Sequence, residues 1–393
     1  MPYAHRAEIY DADTHMMERP DWIAQFADAD IRPHLAPFVE GRAETLAAID
    51  DALARFQRRR EDAEAARKAD AEFMAMRYKG WHGLGAFDGR ERAHANDLLG
   101  FRGHLVFPTS AFNQVIAARD PRVLVGGVRA LNRGLAAFCA EDARMFGTAY
   151  LPLGQGPQMA LALLEEIIAA GFAVVLVDTI PPRGGRSFTH PDYDTVWARI
   201  QDADLSVTLH VGANGGEYNA VPDAFYANGR ALPPHADGDA PRDALSYMTI
   251  HNDAVLFLSA MILDGVLERF PRLRIAVVEL GASWIVSWLK HLDQSHRAFR
   301  RLQDLSHLTM LPSDYVRRAI KVTPFAGEDI GWLLASGAED LLMFATDYPH
   351  HEGTDDPIGR FERTMDGVAE PVRQKFYADN FKAFMGARLV AHV

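Results

Sequence analysis

From about residue 100 the chain settles into one repeated pattern. A short apolar run is closed by a Pro, Gly or charged residue, and a stretch at helical spacing follows. Apolar runs without polar alternation read as strands buried on both faces, the condition of a parallel sheet covered by helices. Strands are expected at 104–107, 146–151, 172–177, 206–211, 274–278, 320–323 and 341–346, with one more, 8–13, ahead of them. Helices are expected over 113–144 (broken near Pro121), 158–170, 192–203, 244–270, 283–302, 328–335 and 368–385. Eight strands, most of them followed by a helix, are the pattern of a closed (β/α)8 TIM barrel, an α/β fold.

Residues 40–79 depart from the repeat. They are rich in Ala, Arg and Glu, with Leu46, Ile49, Leu53 and Phe56 at helical spacing. The stretch reads as one or two amphipathic helices, a helical insertion after the first strand of a single domain spanning 1–393. Arg58, Arg59 and Arg60 are flanked by acids and read as a solvated helix face. The insertion is expected to cover the site or to meet a second subunit, with a homodimer as the expected assembly.

Composition removes several functions. The net charge of -12 argues against nucleic acid and against an anionic membrane surface as partners. A small-molecule substrate is expected instead. Cys139 is the one cysteine and lies in an Ala-rich helical run, so it reads as a small buried apolar residue. The start MPYAHRAEIY has no signal-peptide core and no apolar run reaches membrane-spanning length, which gives a cytoplasmic expectation.

A TIM barrel does its chemistry at the C-terminal ends of its strands. Polar residues there are Asp13 and His15 on the first strand, Asp178 after the fourth, His210 on the fifth, Glu279 after the sixth and Asp347 in the stretch LLMFATDYPHH. Singly, each has a bland reading as a helix cap or a hydrogen-bonded core residue. Together, His and carboxylates converging on one end are ligands for a divalent ion, with zinc the leading choice and manganese or iron the alternatives, one or two per subunit. Without an ion the carboxylates would repel one another and rise in pKa.

The motifs Asp11-x-Asp13-x-His15, Leu209-His210-x-Gly212, Glu279-x-Gly281-Ala282-x-Trp284 and Thr346-Asp347-Tyr348-Pro349-His350 together resemble the amidohydrolase superfamily. The resemblance is strongest to the amidohydrolase-related group that includes the aminocarboxymuconate semialdehyde and γ-resorcylate decarboxylases. It runs from Tyr10 to Met385. It implies metal ligation by Asp13, His15, His210 and Asp347. Glu279 stands where that group usually has His, and is expected as a further ligand or a general base. The bridging Lys of binuclear members has no match, and a second ion would have to use Asp178 or Glu279.

Two reactions fit. The favoured one is hydrolysis of an ester, thioester, lactone or amide, with Asp347 carrying the proton and Glu279 assisting. The alternative is non-oxidative decarboxylation of a small aromatic or unsaturated carboxylic acid. Carboxylates at both Glu279 and Asp178 would repel a dianionic substrate, which weighs toward hydrolysis. Arg183 and Arg186 are the cations expected to bind an anionic substrate. His350 is expected to transfer protons or support a ligand, and His251 either caps its helix or replaces the missing sixth-strand His. A binding protein without catalysis is the remaining reading, and a lack of bound metal would favour it.

Overall fold

The structure is a computed structural model that describes residues 2–35, 43–179, 185–213, 221, 223–231, 241 and 243–390. Seven parallel strands pair in chain order. They are β1 (Tyr10–His15), β2 (Gly103–Phe107), β3 (Met145–Leu151), β4 (Val174–Val177), β5 (Ser206–His210), β6 (Ile275–Val278) and β7 (Ile320–Val322). Every residue of every strand is buried, as expected of a sheet with side chains filling one face and helices covering the other. One contiguous core runs from Ile9 to Leu389. The chain forms a (β/α)8 TIM barrel.

The expected eighth strand is the main difference. Residues 341–346 make no ladder; they contribute an isolated parallel bridge, Leu342 to Val322, and a second bridge joins Tyr348 to Thr14. The barrel still closes through single hydrogen bonds. Met343 N donates to Val322 O at 2.9 Å, and Ala12 N to Phe344 O at 2.9 Å. Asp11 explains the interruption. Its carboxylate accepts from Thr346 N at 3.0 Å and Thr346 Oγ1 at 2.6 Å, so a side chain occupies the place of a ladder bond. The same carboxylate takes Asp13 N at 3.1 Å, and the register of β1 against β2 shifts between Asp11 and Thr14.

Helices differ from expectation mainly at breaks. The run 113–144 resolves into Ser110–Ile116 and Pro121–Cys139, with Pro121 at the first turn and Asp120 capping Arg122 N. The run 244–270 divides into Ala244–Thr249, Asn252–Leu263 and Val266–Arg269. None of the described helices is long and apolar enough to cross a membrane.

The insertion lies between β1 and β2 as helices Ala43–Glu61 and Ala63–Met74; residues 40–42 of the expected span fall outside the described residues. Ile49 and Phe56 are buried, whereas Leu46, expected on the same face, is 42% exposed. The chain after it returns to the barrel mouth. Gly80 N donates to Pro349 O at 2.6 Å, and Trp81 Nε1 to Glu18 O at 3.1 Å.

Candidate metal centre

Period-two alternation puts Asp13 and His15 of β1 on one side of the strand, and both are buried. His210 is the last residue of β5, Glu279 follows β6, and Asp347 follows the closing segment. Their side chains meet. His15 Nε2 lies 3.3 Å from Asp13 Oδ1, 3.7 Å from Glu279 Oε2 and 3.6 Å from Asp347 Oδ1. His210 Nε2 lies 3.5 Å from Asp13 Oδ1 and 3.3 Å from Glu279 Oε2. Asp13, His15, His210 and Glu279 can each offer one atom within 4.8 Å of the others, and so can His15, Glu279, Asp347 and His350.

The donor set fits a divalent ion. Asp13 Oδ1 is buried and meets no donor in hydrogen-bond geometry among the described residues. The spacings exceed good hydrogen bonds, yet they match the edge of a coordination tetrahedron, about 3.4 Å for ligands about 2.1 Å from the centre. Two imidazoles with carboxylates suit zinc or manganese. Burial by itself would raise the Asp13 carboxyl, but the His15 and His210 rings beside it hold it below the usual carboxylate range.

Two backbone positions aim the carboxylates. Glu279 has φ 55° and Asp347 φ 57°, the left-handed region that side chains with a Cβ rarely enter. Glu279 N donates to Thr323 Oγ1 at 3.0 Å and Asp347 N to Asp13 O at 2.9 Å, which holds both turns. Asp347 Oδ1 also lies 3.0 Å from Nδ1 of the buried His350. Burial pushes the Asp347 carboxyl up to about 8, against the pull of His350.

Other sequence candidates lie elsewhere. Asp178 accepts from Tyr150 Oη at 3.0 Å and Gly154 N at 3.2 Å, and belongs to neither group of ligand atoms. Its carboxyl is pushed up to about 7 by burial. His251 stacks on Trp284 with centroids 5.7 Å apart and planes at 4°, and burial lowers its pKa. Arg186 is 58% exposed and paired with Asp192, while Arg183 lies outside the described residues.

The structure adds residues that sequence reasoning missed. Lys79, at the end of the insertion, donates to Thr354 O at 3.2 Å and sits 5.5 Å from the Tyr348 ring centre. Burial lowers its pKa, opposed first by the charge of Asp347 and then by that of Glu352. Arg92, fully buried, donates to His15 O at 2.6 Å and Gly85 O at 2.9 Å, fixing the end of β1. Thr109, just past β2, touches both His15 and His350. Inspection of strand ends would have found Thr109, since it follows Pro108 there; Lys79 and Arg92 gave no signal, because the segment between β1 and β2 has no counterpart in the repeat.

A family model described as amidohydrolase matches residues 10–383. Among solved structures the chain is similar to an amidohydrolase from Mycobacterium avium subsp. paratuberculosis, with 19% identity, 98% of this chain and 100% of that one covered, and a TM-score of 0.72. It is similar to 5-carboxyvanillate decarboxylase from Sphingomonas paucimobilis, with 17% identity, 97% and 99% covered, and a TM-score of 0.61. A dihydroxybenzoic acid decarboxylase from a Polaromonas species, with bound manganese and the inhibitor 2-nitroresorcinol, matches at 18% identity, 97% of each chain and a TM-score of 0.61.

Proposed function

The chain belongs to the amidohydrolase family, and we propose that its reaction is the metal-dependent, non-oxidative decarboxylation of a small aromatic or unsaturated carboxylic acid. The observation that carries this reading is the pair formed by partly buried Asp347 and buried His350, 3.0 Å apart beside the cluster. Decarboxylation breaks a carbon–carbon bond, releases CO2 and needs a proton delivered to the carbon left behind. The Asp347–His350 pair lies against the cluster and is placed to deliver that proton.

Asp13, His15, His210 and Glu279 would hold the ion, with Asp347 at its edge. A divalent cation there supplies the positive charge that anchors and polarises a carboxylate or phenolate oxygen. The manganese of the Polaromonas enzyme makes that ion, beside zinc, the first to try.

The argument for hydrolysis is the crowding of carboxylates at the site. Asp178 does not add to that crowd, since its carboxylate is engaged with Tyr150 and Gly154. Lys79 brings a cation whose strongest charged neighbour is Asp347. The electrostatic objection to an anionic substrate is thereby reduced, and the two decarboxylases of like fold support the same reading. Hydrolysis stays as the second reading because Glu279, a carboxylate in place of the family's usual His, stands in the cluster and would serve as a base if it did not ligate the ion.

The test is incubation of manganese- and zinc-loaded protein with hydroxybenzoates in deuterated water. Decarboxylation predicts CO2 release and one deuterium at the vacated ring carbon. Hydrolysis of esters or lactones with no CO2 from any acid would overturn it.

A further inference from the structure

One hydroxyl touches two of the imidazoles at the centre. Thr109 Oγ1 lies 3.2 Å from His15 Nδ1 and 3.0 Å from His350 Nε2, and it donates to Met16 O at 2.9 Å. A hydroxyl has one proton and two lone pairs. The Met16 carbonyl can only accept, so the proton goes there. Both ring nitrogens must then donate to Thr109. His15 carries its hydrogen on Nδ1, and its Nε2 lone pair faces Asp13, Glu279 and Asp347. His350 donates through Nε2, and its Nδ1 faces Asp347. The two rings stack with centroids 3.7 Å apart, so neither can flip without clashing with the other.

Thr109 is itself held. Its backbone N–H donates to Glu18 Oε1 at 2.9 Å, and Ser110 N donates to Glu18 Oε2 at 2.9 Å. Thr109 and Glu18 are both buried. The hydroxyl is thereby fixed at the centre of three hydrogen bonds, its full capacity.

We propose that Thr109 is a positioning residue that sets the tautomers of His15 and His350 together, presenting Nε2 of one to the metal and Nδ1 of the other to Asp347. The inference rests on the cluster holding a divalent ion and is independent of which reaction follows. A ligating imidazole whose remote N–H is fixed by an acceptor binds metal more tightly, by roughly ten- to a hundredfold.

The experiment compares wild type, Thr109→Val and Thr109→Ser. Affinity for Co²⁺ is measured by competition with a chromophoric chelator, and the visible spectrum of each Co²⁺ complex is recorded. Valine keeps the shape and loses the hydroxyl, while serine keeps the hydroxyl. Thr109→Val is expected to lose roughly tenfold or more in affinity with an altered spectrum, and Thr109→Ser to restore both. Equal affinity and identical spectra for wild type and Thr109→Val overturn the inference, as does equal weakening by both variants. If wild type binds no Co²⁺, the metal reading of the cluster is what fails. A second measurement needs no core variant. Nitrogen NMR of metal-free, ¹⁵N-histidine-labelled wild type, assigned with His15→Gln and His350→Gln, should show His15 protonated at Nδ1; protonation at Nε2 alone overturns the inference without reference to metal.

Discussion

Glu279 and Asp347 present their carboxylates from the same uncommon backbone conformation, φ 55° and 57°, and both turn toward Nε2 of His15, at 3.7 and 3.6 Å. They differ in what stands behind them. Asp347 has the buried His350 at 3.0 Å, and Glu279 has His210 at 3.3 Å, within the cluster itself. On this difference rest the roles proposed for them, Asp347 as proton carrier and Glu279 as ligand.

Asp347→Asn should therefore abolish turnover, by on the order of 10²–10⁴-fold in kcat, with the fold retained. Steady-state kinetics beside circular dichroism read the two effects separately. Near-normal kcat would remove Asp347 from the chemistry.

Glu279→Gln and His210→Ala should each weaken metal binding, by roughly tenfold or more. Elemental analysis by mass spectrometry after dialysis against a weak chelator gives the occupancy. Unchanged stoichiometry in His210→Ala would strike that residue from the ligand set. For Glu279→Gln, full occupancy with lost activity would move Glu279 from ligand to base and revive the hydrolytic reading.

Lys79→Met should lower kcat/KM for a carboxylate substrate by about ten- to a hundredfold, as expected for a lost charged hydrogen bond, while metal content stays unchanged. The motivation is the proximity of its charge to Asp347 and Glu352. Equal kcat/KM in wild type and variant would make Lys79 a structural tie to Thr354.

Asp178 gives a pH prediction away from the metal. Its folded pKa is raised to about 7 by burial, so the folded state holds this proton more tightly than the unfolded chain. The stability it contributes is full below about pH 4 and is lost as pH rises through about 7, at about 1.4 kcal/mol for each pKa unit. Urea unfolding of metal-free protein should show Asp178→Asn gaining on wild type between those limits. A stability difference that ignores pH would refute the assignment.

The barrel was legible because buried parallel strands write themselves as unbroken apolar runs, and seven of the eight expected strands are found in their places. The eighth run is just as apolar but forms no ladder, since the bond pattern depends on Asp11, far away in sequence. Asp13, His15, His210, Glu279 and Asp347, picked out by strand-end position, lie close together in the structure. The same rule misplaced Asp178, because strand position says where a side chain starts and not which partner takes it. Cations were sought on the loop after β4, where Arg186 proves to be exposed, whereas partly buried Lys79 and buried Arg92 come from the region between β1 and β2. Such contacts between an insertion and a barrel mouth have no periodicity to reveal them.

The seam between β1 and residues 341–348 rests on single hydrogen bonds and on the Asp11 carboxylate, and the cluster spans it, with Asp13 and His15 on one side and Asp347 on the other. During synthesis the first pair of these groups leaves the ribosome early, and Asp347 only after nearly the whole barrel has been made. Only when the seam closes could Asp347 reach an ion held by Asp13, His15, His210 and Glu279. An ion bound across the seam acts as a rivet, so depriving newly made chains of metal should expose this junction to proteases before any other part of the barrel.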